Sequence, residues 1–502
     1  FYKQFLMGNI RKQTIISSIL VYIGFFIGAF NTYLYVKEGH FTAEQFALTR
    51  IFFDVGQNFY VFASLGFIPI IFKFYPYYKG HVDDKNNDLL SWALITSCIG
   101  FLLVLGVGYL LEPLVIRKFS ARSILLVEYY YYIFPFALGM LLFSIFESYC
   151  WALQKTVVPN FLKETGLRLI TTIFIVLYYF HYITYHTFIV LFCTLFGLMA
   201  VILAGYLFYL KKLHFTLKAS KVTKKMWRKM LGMQSLIFGG MIIQALGQTM
   251  DSIFIASMKG LGFAGVYTLA LYAANFIQIP QRSMQSIATG IISQAWKDKN
   301  YAEINRIYQR SSINMLLMSL FIFGCILLNV ENLFSVLNVQ DNYSAAINLM
   351  IVLGLVRVID AGTGVNGTII ATSTFWKFDF FSGVILLAIR LPLAYIMIKQ
   401  YGIIGAAYAE LISISLYNFI RFEFLRRRFN MQPFTAKTIQ SILLFSIAFA
   451  SSFYLFKGFN GWLGMVFTTA IFSVQIILII VWGKLTPDAN QLLVKLKEKW
   501  KN

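Results

Sequence analysis

Apolar residues occur in runs of about twenty along nearly the whole chain, separated by short polar or charged segments. The runs lack the two-residue alternation of a membrane β-barrel. The pattern predicts an all-α polytopic membrane protein with about fourteen transmembrane helices. The predicted spans are residues 14–36, 44–72, 89–111, 125–149, 161–180, 187–210, 231–257, 263–295, 312–330, 345–372, 380–398, 403–424, 439–456 and 462–482. The second, eighth and tenth are long, so we expect them to tilt or to extend beyond the bilayer.

The composition agrees with a membrane location. The 502 residues are 59% hydrophobic and 13% charged, whereas about 25% charge is usual for soluble domains. The four cysteines lie scattered in apolar runs without a disulfide framework, and the five histidines show no metal-ligand spacing. The sequence has neither a glycine-rich phosphate loop with a lysine nor a Ser/His/Asp arrangement, so we predict that the protein is not an enzyme.

The net charge of +22 is unevenly distributed. About 32 of the 43 Lys and Arg residues fall on one set of alternating loops, which the positive-inside rule assigns to the cytoplasm. We therefore predict a multi-pass membrane protein with both termini cytoplasmic. Anionic membrane lipids are the expected partner of these loops, and nucleic acid is not.

A faint internal repeat divides the chain. Residues 38–54 match residues 258–275, with Asp54 opposite Asn275, which predicts two six-helix lobes related as a parallel pseudo-repeat. The predicted organisation is an N-terminal lobe at 1–210, a basic cytoplasmic linker lying on the membrane surface at 211–230, and a C-terminal lobe at 231–428. Two additional transmembrane helices follow at 429–485, and a cytoplasmic amphipathic tail at 486–502.

Charged residues inside the spans supply the candidate chemistry. Arg50 and Asp54 lie four residues apart, and Arg357 and Asp360 three apart, so each pair shares a helix face. A lone charge at mid-bilayer costs about 2.5–3.5 kcal/mol, so such pairs either line a water-filled cavity or join two helices. Two further pairs near the membrane surface are predicted to join helices: Glu164 with Arg168, and Lys377 with Asp379.

Two other arginines have no opposite charge within four positions. Arg282 and Arg390 therefore need a partner from another helix or from a ligand. A guanidinium stays charged when desolvated and donates paired hydrogen bonds, which suits a phosphate. We predict a cavity in which Arg50, Arg282, Arg357 and Arg390 bind an anionic headgroup, while Asp54, Glu147, Asp251 and Asp360 tune these arginines or couple an ion.

Three stretches resemble the polysaccharide-type flippases of the multidrug/oligosaccharidyl-lipid/polysaccharide (MOP) transporter superfamily. The first is the passage into and out of span two, with Glu44-Gln45-Phe46, Leu65-Gly66-Phe67 and Lys73-Phe74-Tyr75-Pro76. The second is Asp251 followed by Gly260-Leu261-Gly262 and Val266-Tyr267, although Ser252 stands where relatives often carry Arg. The third is the loop 299–308, with Tyr301-Ala302-Glu303. Together they span nearly the whole chain.

The resemblance implies a flippase of the bacterial inner membrane, which moves an undecaprenyl-(pyro)phosphate-linked oligosaccharide across that membrane by alternating access. It implies no cofactor beyond a coupling H⁺ or Na⁺, and as partners the lipid-linked oligosaccharide and other polysaccharide-assembly membrane proteins. The sugars would meet Tyr129–132, Tyr272 or Gln278, residues that interfacial anchoring and core packing also explain. Three alternatives stay open: an ion-coupled multidrug exporter, a peptidoglycan-precursor flippase, and a membrane glycan polymerase or ligase.

Overall fold

The computed structural model describes Leu20, residues 23–456 and residues 458–486. These residues form helices and short turns, with no β-strand among them. The start of the first predicted span and all but the first residue of the predicted tail lie outside the described residues. The α-helices in chain order are α1 Ile23–Val36, α2 Ala43–Ser64, α3 Ile68–Lys79, α4 Leu89–Phe119, α5 Ile124–Glu128, α6 Ile133–Ala152, α7 Val157–Asn160, α8 Leu167–Tyr179, α9 Tyr185–Tyr209, α10 Lys221–Met258, α11 Leu261–Phe276, α12 Ile279–Lys297, α13 Tyr301–Val336, α14 Ala345–Gly362, α15 Asn366–Thr372, α16 Trp376–Tyr401, α17 Ile403–Phe429, α18 Ala436–Phe456 and α19 Gly461–Trp482.

The prediction of a polytopic all-α protein is confirmed. Within the described ranges, ten helices are long and apolar enough to cross a membrane, or eleven if the bent pair α2–α3 is one span. α1 and α11 are shorter apolar helices, and helix occupies each of the other predicted spans. A total of about fourteen spans is compatible with this pattern.

The three spans that looked too long are each broken into two helices. The second is α2 and α3, which bend by 43° after Leu65, whose φ is +45°. The eighth breaks between α11 and α12, just before Pro280, which has no backbone N–H to continue a helix. The tenth breaks between α14 and α15 around Gly364. Breaks, rather than the tilt or extension expected of single helices, account for the extra length.

Gly364 makes the third break possible. Its φ is +68°, and a Cβ added there would lie 2.9 Å from the Ser311 Oγ of α13. We therefore expect Gly364→Ala to lower the free energy of unfolding by about 1–3 kcal/mol, measured by thermal unfolding of the purified protein in detergent. The control is Gly290→Ala in α12, where an added Cβ meets nothing within 4 Å. Equal stability of the two variants would contradict the need for glycine at position 364.

α10 begins earlier than the sequence pattern suggested. Ser220 caps it, its side chain accepting a hydrogen bond from the Thr223 backbone N–H, and the helix runs 38 residues to Met258. Residues 221–230, predicted as part of a separate surface-lying linker, are the first ten residues of this helix. No proline or glycine interrupts the chain between Lys221 and Leu231, so nothing in the backbone separates the linker from the span.

The chain forms two compact units, residues 1–265 and residues 266–502. In the first, Phe136 of α6 lies among rings of α2 and α9, including a stacked contact with Phe192 at 5.6 Å. In the second, Phe472 of α19 packs with Leu317 and Phe445, joining the last two helices to α13. The lobe boundaries drawn from the internal repeat are a separate division and stay a prediction.

Candidate functional site

The second unit contains a buried cluster of three charged side chains. Glu410 of α17 accepts a hydrogen bond at Oε1 from Arg357 of α14 at 3.0 Å, and the same oxygen forms an ion pair with Arg390 of α16 at 3.4 Å. All three are buried, Glu410 being 2% exposed. Tyr267 also hydrogen-bonds to Glu410. Two guanidinium groups share one carboxylate, so the cluster retains one net positive charge.

One turn along α14, Asp360 is surrounded by amides. It accepts hydrogen bonds from Asn418 Nδ2 at 2.9 Å and Gln281 Nε2 at 3.0 Å, and a longer one from Gln278 Nε2 at 3.4 Å. Asn418 in turn accepts from Thr363 Oγ1, at the break between α14 and α15. The breaks in spans eight and ten thus meet at this carboxylate, and their polar side chains satisfy one another.

Arg282 lies in the first turn of α12, directly after the break in span eight. Its side chain is exposed, and in the described part of the chain no carboxylate lies within ion-pair distance of it. It follows Gln278 by four positions, so both project from the same side of the helix. A helix N-terminus and a guanidinium together form a site that favours anions.

The first unit has its own polar cluster, between α2 and α10. The Ser252 hydroxyl donates to an Asp54 carboxylate oxygen. One turn further along α2, Asn58 Nδ2 donates to Thr249 Oγ1 at 2.7 Å, and Asp251 is buried beside these residues on α10. The structure therefore brings Asp54 and Asp251 into one hydroxyl- and amide-rich seam, the kind of setting that holds a proton or a small cation.

Arg50 lies one turn before Asp54. Its Nη2 donates to Thr32 Oγ1 of α1 at 3.3 Å, and its guanidinium carbon lies 5.2 Å from the centre of the Phe46 ring. The side chain is half-buried, which leaves part of the guanidinium accessible. The predicted face shared by Arg50 and Asp54 is present on α2.

Three more ion pairs form among the charges inside or near the spans, two of them between helices and one within a single helical segment. Lys163 Nζ bridges both oxygens of the buried Glu147 at 3.1 Å. Arg168 pairs with Glu164 at 3.2 Å, as the i,i+4 spacing predicted. Asp379 of α16 accepts from Arg421 of α17, which the sequence reasoning had not considered. The Lys163–Glu147 and Arg421–Asp379 pairs each hold two helices together. In all three ion pairs the charges satisfy each other without a ligand.

The aromatic candidates lie mainly in packing positions. The Tyr130 hydroxyl donates to the backbone C=O of Gly108 at 2.8 Å, and Tyr129 makes an edge contact with Tyr185. Tyr272 makes an edge contact with Phe276 on its own helix. These contacts match the packing explanation for the tyrosines.

His40, on the loop between α1 and α2, stacks on Tyr179 with ring centres 4.1 Å apart. Partial burial and the nearby Lys37 lower the pKa of His40 below its usual value. The imidazole is therefore neutral at pH 7, and it adds no positive charge to the arginines that the sequence singled out.

Sequence reasoning missed Glu410, Gln281 and Asn418. Glu410 stands in the apolar run of span twelve, so the signal that selected Asp54 applied to it equally. Gln281 directly precedes Arg282 and is 6% exposed. Uncharged amides inside a span carry a weaker signal, and their role depends on the facing helix.

Comparison with solved structures defines the class of protein. The chain superposes on the lipid II flippase MurJ in its inward closed conformation with a TM-score of 0.73, covering 94% of this chain and 99% of that one at 15% identity. A multidrug resistance MATE family transporter of the MOP superfamily, inward-facing, gives 0.61 over 82% and 98% of the two chains at 12% identity. A MOP superfamily transporter from Pyrococcus furiosus gives 0.56 over 84% and 96%, also at 12% identity. The protein therefore has the fold of the MOP transporter superfamily.

The sequence places it more narrowly. The chain belongs to the polysaccharide biosynthesis protein family, whose model matches residues 10–292. No curated protein sequence matches the chain. The matched residues include the first unit from residue 10 onward, together with α11 and most of α12.

Proposed function

We propose that this protein is a flippase that moves an undecaprenyl-(pyro)phosphate-linked oligosaccharide from the cytoplasmic to the outer leaflet of a bacterial inner membrane. The polysaccharide family and the MOP fold support a transporter of this kind. The oligosaccharide headgroup would be exposed alternately to the two sides of the membrane, for the synthesis of a surface polysaccharide.

The observation that carries the proposal is the exposed Arg282 at the N-terminus of α12. An arginine without a carboxylate partner in the described residues, at a helix N-terminus inside a broken span, suits a phosphate-bearing headgroup. Beside it, the amide nitrogens of Gln278 and Gln281 donate to Asp360 and so hold the broken end of the helix next to the arginine.

In this proposal the other predicted site residues have different roles, according to their burial and their partners. Arg50 of the first unit is half-buried and holds the headgroup at another stage of transport. Arg357 and Arg390 are buried against Glu410, so their net positive charge attracts the phosphate without direct contact. Asp54 and Asp251 bind the coupling H⁺ or Na⁺, Asp360 tunes the adjoining amides, and Glu147 anchors Lys163.

The deep charges also bear on the alternatives. A multidrug exporter with cationic substrates needs an acidic cavity, whereas in the second unit Arg282, Arg357 and Arg390 outnumber the carboxylates of Glu410 and Asp360 by one charge. The lipid II flippase MurJ shares the fold, and a peptidoglycan precursor also carries a pyrophosphate. The substrate must therefore be separated from lipid II by experiment.

Deletion of the gene tests the substrate class. We expect cells to lose surface polysaccharide, to accumulate the lipid-linked oligosaccharide and to keep growing, because one glycan pathway is blocked at its membrane step. Polysaccharide is measured by gel and immunoblot, the lipid by mass spectrometry. Death of depleted cells would favour a peptidoglycan precursor, sensitisation to cationic drugs with intact polysaccharide would favour an exporter, and accumulation of short, unpolymerised glycan at the surface would favour a polymerase.

A further inference from the structure

A long apolar groove lies in the first unit. Its floor is α2, and its two walls are α4 and α10. The groove encloses about 580 Å³, within the range of small-ligand sites. On α4 the lining residues recur every three or four positions, so one face of this helix forms the wall: Gly100, Leu103, Val104, Val107, Leu111 and Val115.

The groove offers almost nothing to water. Among its lining residues only Asn58 and Tyr130 carry polar side chains. The Tyr130 hydroxyl donates to Gly108, and the Asn58 amide nitrogen donates to Thr249 and to the Asp54 backbone C=O. With these donors occupied within the protein, Asn58 Oδ1 is the one polar side-chain atom of the described lining that has no partner. One acceptor is fewer than the two to four partners that a water molecule needs, so the groove suits a hydrocarbon.

The length of the groove distinguishes between a phospholipid chain and a polyprenyl chain as its ligand. From Gly100 to Phe119 the lining covers nineteen helical steps, or about 28 Å at 1.5 Å per residue. The hydrocarbon core of a bilayer is about 30 Å thick, so the groove is as long as both leaflets together. A phospholipid chain belongs to one leaflet and would fill about half of this length. A long polyprenyl chain fills all of it.

The groove is open toward the bilayer and borders the polar seam. Leu103 and Val107 on its rim are 59% and 54% exposed, so a chain enters sideways from the lipid. On the floor, Asn58 binds the backbone of Asp54, which places the groove one helical turn from the Asp54–Ser252 hydrogen bond. A tail in the groove therefore stays in the membrane while its headgroup lies near polar side chains.

We propose that this groove between α4 and α10 binds the polyprenyl tail of the transported lipid. The inference rests on the proposed function, since it names the lipid moiety of that substrate. Because the groove is as long as the bilayer is thick, the tail keeps one binding surface whichever leaflet holds the headgroup.

Photolabelling tests the groove directly. The probe is polyprenyl phosphate carrying a photoreactive group in the tail, added to the purified full chain in nanodiscs, with labelled peptides mapped by mass spectrometry. We expect labels on the lining residues of α4 and α10. Leu103→Trp should lower this labelling about tenfold, because the indole ring occupies space in the groove that the tail needs.

The matched control is Leu102→Trp. Leu102 is as exposed as Leu103, at 61% against 59%, but it does not line the groove, so labelling should be unchanged. Val107→Trp provides a second groove variant, and gel filtration confirms that each variant is folded. Equal labelling of both leucine variants, labels elsewhere only, or equal competition by phosphatidylglycerol would overturn the proposal. The probe carries no sugar, so this experiment tests binding of the tail separately from transport of the oligosaccharide. Labelling of the groove can therefore succeed or fail whether or not the protein transports an oligosaccharide.

Discussion

Glu410→Gln is expected to lower the free energy of unfolding by about 3–5 kcal/mol, because it leaves two buried guanidinium groups without their shared carboxylate. Arg357 and Arg390 both bind the same Glu410 oxygen, and all three residues are less than 10% exposed. Neither arginine can turn to solvent without opening the contacts among α14, α16 and α17. Thermal unfolding of the purified protein in detergent measures the effect, with the yield of monodisperse protein as a second readout.

The control for this substitution lies on the same helix. Glu423→Gln removes a carboxylate that pairs with Arg426 and Arg427, whose side chains are 56% and 79% exposed. Such surface pairs contribute about 0–1 kcal/mol, so little change is expected. The double variant Arg390→Gln/Glu410→Gln restores the original net charge and should recover part of the loss. Wild-type stability of Glu410→Gln would show that the cluster does not hold these helices together.

Arg282→Ala is expected to reduce surface polysaccharide about ten- to a hundredfold while leaving the amount of membrane-inserted protein unchanged. A hydrogen bond to a charged group contributes about 1.5–3 kcal/mol, and the exposed guanidinium has no ion pair in the described residues whose loss would unfold the protein. Complementation of a deletion strain, with protein quantified by immunoblot, measures both quantities.

Two further variants sharpen this prediction. Arg282→Lys keeps the positive charge but loses the planar fork, so it should retain partial export. Arg306→Ala removes an exposed arginine that pairs with Glu303 on α13, and export should be normal. If Arg282→Ala exports as well as Arg306→Ala at equal protein levels, Arg282 does not hold the headgroup.

Apolar runs were sufficient to predict the helical class, because a bilayer admits helices wherever some twenty residues are apolar. The three breaks were not predicted, although their signals were present. Pro280 interrupts the eighth run and Gly364 the tenth. The length of the apolar runs suggested tilted single helices. The backbone preferences of proline and glycine at these positions instead divide each run into two helices.

The candidate charges were found, but their partners were not. Arg357 and Asp360 share a face of α14, yet Arg357 binds Glu410 and Asp360 binds amides of α12 and α17. Spacing along one helix shows which side chains share a face, but it does not show which helix lies opposite. Arg390 had been expected to need a partner from another helix or a ligand, and that partner is Glu410.

The pair that spacing did predict correctly, Glu164 with Arg168, lies within a single turn of chain. The α4–α10 groove could not be predicted from spacing along one helix, because α4 and α10 are more than a hundred residues apart in sequence. Its α4 wall nevertheless shows a regular three-and-four spacing of apolar residues in a helix that is apolar all round. Only the packing of α2 against both walls distinguishes this face from the remainder of α4.

The most direct measurement of the proposed function is transfer by the purified protein in liposomes. An undecaprenyl-pyrophosphate-linked oligosaccharide is placed in the inner leaflet, and its arrival outside is followed with a sugar-modifying enzyme that cannot cross the membrane. Wild-type protein and Arg306→Ala should expose the sugar, and Arg282→Ala should not. Exposure by wild type no faster than in protein-free liposomes, or equally fast exposure by Arg282→Ala, would contradict an arginine-dependent flippase.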